Sequence, residues 1–83
     1  MTPETFVPKY PLTEEDLKRL TTNFEYHAPK GDQLERYGVV RETAGAFALM
    51  VVANCPPSRE RSLALTAIEE AMFWANAAIA RNE

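Results

Sequence analysis

The sequence predicts an all-α chain: a short N-terminal helix followed by a long antiparallel helical hairpin, assembling as a homo-oligomer. Three observations carry that expectation. Two long segments repeat apolar residues at the three-and-four spacing of a helix face. The six prolines lie outside those segments and only three glycines occur, which favours helices with sharp ends. The last segment, finally, is apolar on two faces. Leu65, Ile68, Met72, Ala75 and Ile79 form one stripe; Ala64, Ala67, Ala71, Trp74 and Ala78 form a second. A hairpin partner covers only one of them, so the other calls for a second copy of the chain.

Residues 1–12 carry Pro3, Pro8 and Pro11 and read as an extended arm, with Phe6, Val7 and Tyr10 as apolar anchors for docking. A single helical domain occupies 13–83. Thr13 and Asp16 have the spacing of a capping box, and Glu14, Glu15 and Asp16 complement the dipole of a first helix ending near Thr21 to Asn23. Lys18 and Arg19 follow toward its C-terminus. Phe24–Gly31, F-E-Y-H-A-P-K-G, is a connecting loop rich in side chains that contact ligands. The hairpin spans 32–82. Asp32 is the expected cap of its first helix, whose stripe reads Leu34, Tyr37, Val40, Ala44, Phe47 and Val51. Cys55-Pro56-Pro57 makes the bend, and Ser58 caps the last helix. Each hairpin helix is roughly 22 to 25 residues, or about 33 to 37 Å, so a tight loop folds them antiparallel.

Composition narrows the function. With 83 residues the chain is one small domain, and 46% hydrophobic against 25% charged content is globular. A net charge of −3 with no basic tract argues against DNA or RNA as partner, while a small anion needs only two or three placed cations. The single cysteine cannot form an internal disulfide, and Cys55 with the single His27 makes no metal site unless copies share ligands. No apolar run is read as reaching the roughly 18 residues of a membrane span, and no signal-peptide core is seen, so no membrane partner is expected and the setting is cytoplasmic and reducing. Cofactors are not called for.

No catalytic constellation assembles. Cys55 has no cationic neighbour to activate it, and Glu69 and Glu70 diverge by about 100° as adjacent helix positions. The expectation is therefore not an enzyme. Binding is better supported. Arg41 lies between Gly38 and Gly45, at i−3 and i+4, so the three share a helix face. Interior glycines cost roughly 0.5 to 1 kcal/mol each, which implies a close approach. Two occupants fit: another helix, or a flat ligand with its phosphate on Arg41. Tyr26 either stacks on a base or plugs the hairpin end. His27, beside Tyr26, is a candidate ligand contact whose ring can stack on a base, although a surface or capping role is the commoner one for a lone histidine. Lys30 opposes the dipole of the next helix, a misfit that a phosphate relieves. Arg59 and Arg61 read as solvated. Trp74, Ala71 and Ala78 are core or oligomer-interface residues, and Asn76 is a polar residue suited to fixing register across an oligomer seam.

These residues also resemble a known family. F-E-Y-H-A-P-K, then R-Y-G-V-V-R, then C-P-P-S-R-E-R-S-L-A-L-T-A-I-E-E-A-M-F-W-A-N-A-A-I-A-R is similar to phage anti-CBASS and anti-Thoeris nucleotide sponges that share a helical-hairpin domain. The likeness covers about Phe24 to Asn82, with the N-terminal stretch unmatched. It implies a non-enzymatic phage protein acting in the host bacterial cytoplasm as a homo-oligomer, often a hexamer. Such proteins sequester cyclic dinucleotides, cyclic trinucleotides or cyclic ADP-ribose isomers and so silence immune signalling. Tyr26 and Arg41 match, in type and order, a tyrosine and a basic residue of the family's dinucleotide pocket. Lysine is frequent at the second, and arginine keeps its charge while adding bidentate geometry. Thr66 matches a recurrent threonine of the last helix. Ala77 stands where an arginine serves the trinucleotide site, and Arg81, one turn on, is its candidate replacement. The competing expectation is a helical-hairpin oligomerisation adaptor for a protein partner.

Overall fold

A computed structural model of the chain describes residues 7–83. Three helices follow one another: α1 (Glu14–Phe24), α2 (Gln33–Asn54) and α3 (Arg59–Asn82), with no strand among the described residues. The expected anchor Phe6 lies outside them. Val7 and Tyr10 are largely exposed, so this part of the arm docks on nothing within the chain, contrary to expectation. Lys9 Nζ sits 5.6 Å from the Tyr10 ring centroid.

Local chemistry sets each boundary. The capping box of α1 forms in both directions: Asp16 N–H donates to Thr13 Oγ1 at 3.0 Å, and Thr13 N–H donates to Asp16 Oδ2 at 3.1 Å. These bonds hold the Asp16 carboxyl below its usual range. Lys18 and Arg19 stop short of the last turn, which carries no cation. His27 Nε2–H instead donates to the Thr22 carbonyl at 2.6 Å.

Asp32 occupies the N-cap position of α2 but its side chain does not cap. Its ψ of 12° leaves the extended region that capping geometry needs, and its carboxylate pairs with Arg36 at 3.2 Å. The other end of α2 finishes at Cys55, held extended before Pro56. Ser58 caps α3 through Arg61 N–H at 3.1 Å. Arg61 is not merely solvated. Its Nη1 donates to the carbonyls of Cys55 (3.1 Å) and Val52 (3.4 Å), satisfying acceptors that the end of α2 leaves open.

The hairpin is antiparallel, because the start of α2 meets the end of α3. Glu83 accepts a bidentate pair from Arg36, at 2.8 and 2.6 Å, and a third bond from Gln33 Nε2 at 3.2 Å. That draws the Glu83 carboxyl down to about 2, first through the Arg36 bonds and then through Gln33, and raises the Arg36 guanidinium. Gln33 is 5% exposed and its Oε1 accepts from Lys30 N–H at 3.0 Å.

The seam of α3 is the stripe read from the sequence, Leu65, Ile68, Met72, Ala75 and Ile79, all half-buried. The seam of α2 differs in part. Tyr37, Val40, Ala44 and Val51 take their places, but Gln33 and Ala48 replace Leu34 and Phe47, which are 71% and 60% exposed. Among the described residues no apolar side chain is buried. The radius of gyration, 18.2 Å, far exceeds the roughly 12 Å of a compact chain of this length.

Helix α3 also corrects the expectation about membrane-length apolar runs. It contains an 18-residue window of mean hydropathy 1.2, long and apolar enough to cross a membrane. Alanines raise that average. Glu69 and Glu70 stand mid-helix, however, and a carboxylate at a bilayer centre costs about 2.5 to 3.5 kcal/mol.

Candidate functional site

The loop from Glu25 to Asp32 is held at both ends and presents its middle. The His27 bond fixes it to α1, and Gln33 ties Lys30 to α2 through the Lys30 N–H and carbonyl. Gly31 has φ of 56°, a left-handed conformation in which any side chain is strained. Between these ties Tyr26 is 86% exposed, so it does not plug the hairpin end. His27 is engaged as a cap, which leaves its ring facing α1 rather than free for a ligand. The Lys30 charge contributes to holding Glu83 ionised.

Arg41 is exposed on α2 and makes no ion pair or hydrogen bond among the described residues. A Cβ built on Gly38 or Gly45 meets nothing within 4 Å. The close approach that two mid-helix glycines imply is therefore not made by this chain's own helices. At about 100° per residue, Gly38 and Gly45 stand nearly in line, with Arg41 roughly 40 to 60° away. The result is an open strip of backbone beside one free guanidinium.

Two concavities lie elsewhere. The larger, about 650 Å³, is an apolar groove along one flank of the hairpin, between Val39, Thr43 and Phe47 of α2 and Ala64, Ala67 and Ala71 of α3. Its α2 wall is rotated on the order of 160° from the Arg41 strip, so groove and strip occupy opposite flanks. The smaller, about 460 Å³, lies on the outer side of α3 between Glu70, Phe73, Trp74, Ala77 and Arg81. There the Arg81 guanidinium lies 5.9 Å from the Trp74 ring centroid, and Ala77 leaves room that a longer side chain would fill.

The sequence-predicted residues thus fall into separate places. Tyr26, His27 and Lys30 share the loop; Gly38, Arg41 and Gly45 share a strip of α2; Arg81 joins Trp74. Neither concavity includes Tyr26, Lys30 or Arg41. Thr66 is exposed on α3 and bonds to none of them. Trp74 is 66% exposed, with Ala71 and Ala78 also outside the seam, so the alanine stripe is not core. Asn76 Oδ1 has lost solvent without gaining a partner, an unmatched acceptor enclosed within the protomer. No set of three or more potential metal ligands clusters among the described residues.

Sequence reasoning missed Gln33, Arg36 and Glu83, and read Arg61 as solvated where it bonds the end of α2. The Asp32–Arg36 spacing, i to i+4, was a legible signal for half of the first network; the bond to Glu83 crosses 47 positions and left none.

No curated protein and no solved structure matches the chain. The sequence model for the Acb2/Tad1 hairpin domain matches residues 16–80. The match begins within α1 rather than at Phe24, so most of the first helix is part of the shared domain and not an unmatched extension. The proteins of this family are binding sponges rather than enzymes. With the hairpin and most of α1 inside the matched region, the chain belongs to the Acb2/Tad1 hairpin-domain family of anti-CBASS and anti-Thoeris sponges.

Proposed function

We propose that this chain binds cyclic oligonucleotide second messengers and holds them intact, as a phage protein in the host bacterial cytoplasm, so that CBASS or Thoeris effectors are not activated. The observation that carries the reading is the Arg41 strip. A free guanidinium stands beside two glycines with open space above them. Phosphate oxygens meet Arg41 in bidentate fashion, and a sugar or base lies on the glycine backbone. Tyr26, exposed on the loop, offers a stacking face, and Lys30 a second cation.

Within one protomer these groups line no common pocket, so a second copy completes the site. The exposed apolar surface, and the absence of a buried apolar side chain among the described residues, support assembly, with a hexamer the size the family resemblance implies. Cyclic dinucleotides are the ligands assigned to Tyr26 and Arg41, with Gly38, Gly45 and Thr66 bordering them. Cyclic trinucleotides fit the Trp74–Arg81 cleft less well, because the Glu70 carboxylate lines it. Cyclic ADP-ribose isomers carry the same phosphates and adenine and belong in the same panel. The chemistry is stoichiometric capture: no group here is placed to cleave a phosphodiester, so released ligand is unchanged.

The test is depletion. Purified chain is incubated with cyclic di- and trinucleotides and cyclic ADP-ribose isomers, filtered, and heat-denatured to recover ligand. Depletion with intact recovery supports a sponge and names the messenger. Depletion with altered product overturns the non-enzymatic reading. The apolar groove favours a second reading, an oligomerisation adaptor, which predicts assembly and no depletion.

A further inference from the structure

Among the described residues Gln33 alone is buried, and it is polar. It belongs to a cluster at the open end of the hairpin, with Arg36 and Glu83, that joins the loop before α2 to the end of α3. We propose that Gln33 and Arg36 are positioning residues for capture: Gln33 fixes the peptide of Lys30, and Arg36 occupies Glu83 so that the Lys30 ammonium stays free for a phosphate. Their role rests on the proposed function, in which Lys30 meets a phosphate of the captured ligand.

Gln33 stands four residues before Tyr37 and seven before Val40, on the seam that α2 turns toward α3. Helix packing by itself asks for an apolar side chain at such a position. The amide instead uses both of its ends. Its Oε1 accepts from Lys30 N–H at 3.0 Å, and its Nε2 donates to Glu83 Oε1 at 3.2 Å. The Gln33 N–H donates in turn to the Lys30 carbonyl at 3.1 Å. One residue thus holds Lys30 through both of its peptide groups, just before Gly31 turns the chain into α2 with φ of 56°. Ordering of this kind is paid in folding rather than in binding, which is how preorganisation raises affinity.

Lys30 itself gives nothing to the helix. A cation ahead of α2 opposes its dipole. Among the described residues its ammonium makes no ion pair, although it stands near enough to act on the Glu83 carboxylate. Glu83 is already occupied. Arg36 takes both of its oxygens, at 2.8 and 2.6 Å, and Gln33 takes a further lone pair. A guanidinium fork matches a carboxylate better than one ammonium does. Without that fork, Glu83 draws Lys30 onto itself. The other carboxylate nearby, Asp32, also pairs with Arg36 and at 67% exposure is well screened by water.

The test is equilibrium dialysis of the full chain against a mixture of cyclic di-AMP, cyclic di-GMP and cyclic GMP-AMP, with Tm recorded for each variant at one protein concentration. Lys30→Gln should weaken capture about tenfold, the lower end of what a charge-assisted bond contributes. Gln33→Leu should weaken it about 5- to 30-fold, the range for one backbone residue regaining its freedom. In the free protein it should also speed hydrogen exchange at the Lys30 amide at least about tenfold. Arg61→Ala, which loosens the other end of the hairpin, is the control for stability and should leave capture unchanged. Arg36→Met should weaken capture about tenfold and lower Tm; adding Glu83→Gln should restore capture to within about threefold while Tm stays low. A neutral amide no longer holds Lys30, yet it rebuilds no ion pair, so positioning and stability part company in that double variant.

Unchanged capture in Lys30→Gln, Gln33→Leu or Arg36→Met overturns the proposal. So does a double variant as weak as Arg36→Met alone, or a loss in Arg61→Ala equal to that in Gln33→Leu, since either means that stability alone carries the effect. In all of these the wild-type chain still captures ligand and the proposed function stands. A wild-type chain that depletes no dinucleotide overturns that function, and the roles of Gln33 and Arg36 with it.

Discussion

Replacing Gly38 and Gly45 together with alanine separates the needs of the helix from the needs of the site. Neither added methyl meets an atom within 4 Å, and both positions lie inside α2 with negative φ. Glycine in a helix interior is about 0.8 to 1.0 kcal/mol less favourable than alanine. The double substitution therefore stabilises α2 by about 2 kcal/mol, which for a domain of this size raises Tm by about 8 to 16 °C. A ligand lying on the strip experiences the opposite. Each methyl stands about 1.5 Å proud of the backbone, and a gap of even 0.5 to 1 Å forfeits a quarter to a half of the dispersion well at every contact. Capture should fall at least tenfold while the helix gains stability. The assays are thermal unfolding by circular dichroism at one fixed protein concentration, because assembly makes Tm concentration-dependent, and equilibrium dialysis with the messenger identified by depletion. Raised Tm with unchanged capture would refute the assignment of the glycine strip. Lowered Tm would show that something in the assembled protein already packs against it.

Arg41→Ala removes a side chain with no partner in the protomer, so unfolding should shift by no more than about 0.5 kcal/mol, while loss of a charge-assisted phosphate contact worth about 1.5 to 3 kcal/mol weakens capture about 10- to 150-fold; calorimetric titration would show whether affinity falls in that range. Arg61→Ala leaves the Val52 and Cys55 carbonyls without their side-chain donor and should cost about 1 kcal/mol of hairpin stability, seen as an earlier denaturant midpoint with unaltered ligand affinity. For Glu83 the sign runs through its depressed carboxyl, about 2 against an ordinary 4.5. Its contribution is fully present above pH 4.5 and is lost as pH falls from there toward 2. Glu83→Gln should flatten that part of the stability–pH curve without abolishing it, because Asp16 is depressed as well; a curve of unchanged slope would show the Arg36–Glu83 pair to be inconsequential in solution.

What the sequence determined by itself is the set of helices and the inner face of α3. Those signals are local. Thr13 with Asp16, Ser58, and Cys55 before two prolines act within a few residues of where they stand, so the chain order alone reveals them. The apolar period of α3 likewise needs no partner to be read, and its second stripe announced surface that the protomer leaves uncovered. Tertiary structure decided which residues meet. At the start of α2 the pattern offers Leu34, yet Gln33 is buried, because its amide bonds Lys30 and Glu83 while a leucine there would leave both unmatched. Asp32 gives up its capping role to pair with Arg36, whose other partner lies 47 positions away. The site followed the same division. Arg41, Gly38 and Gly45 were legible as one face because three helix positions define it, whereas the emptiness above that face, and its placement on the flank opposite the apolar groove, depend on how α2 is rotated against α3. Helix periodicity fixes relative angles within one element; only packing fixes the angle between two.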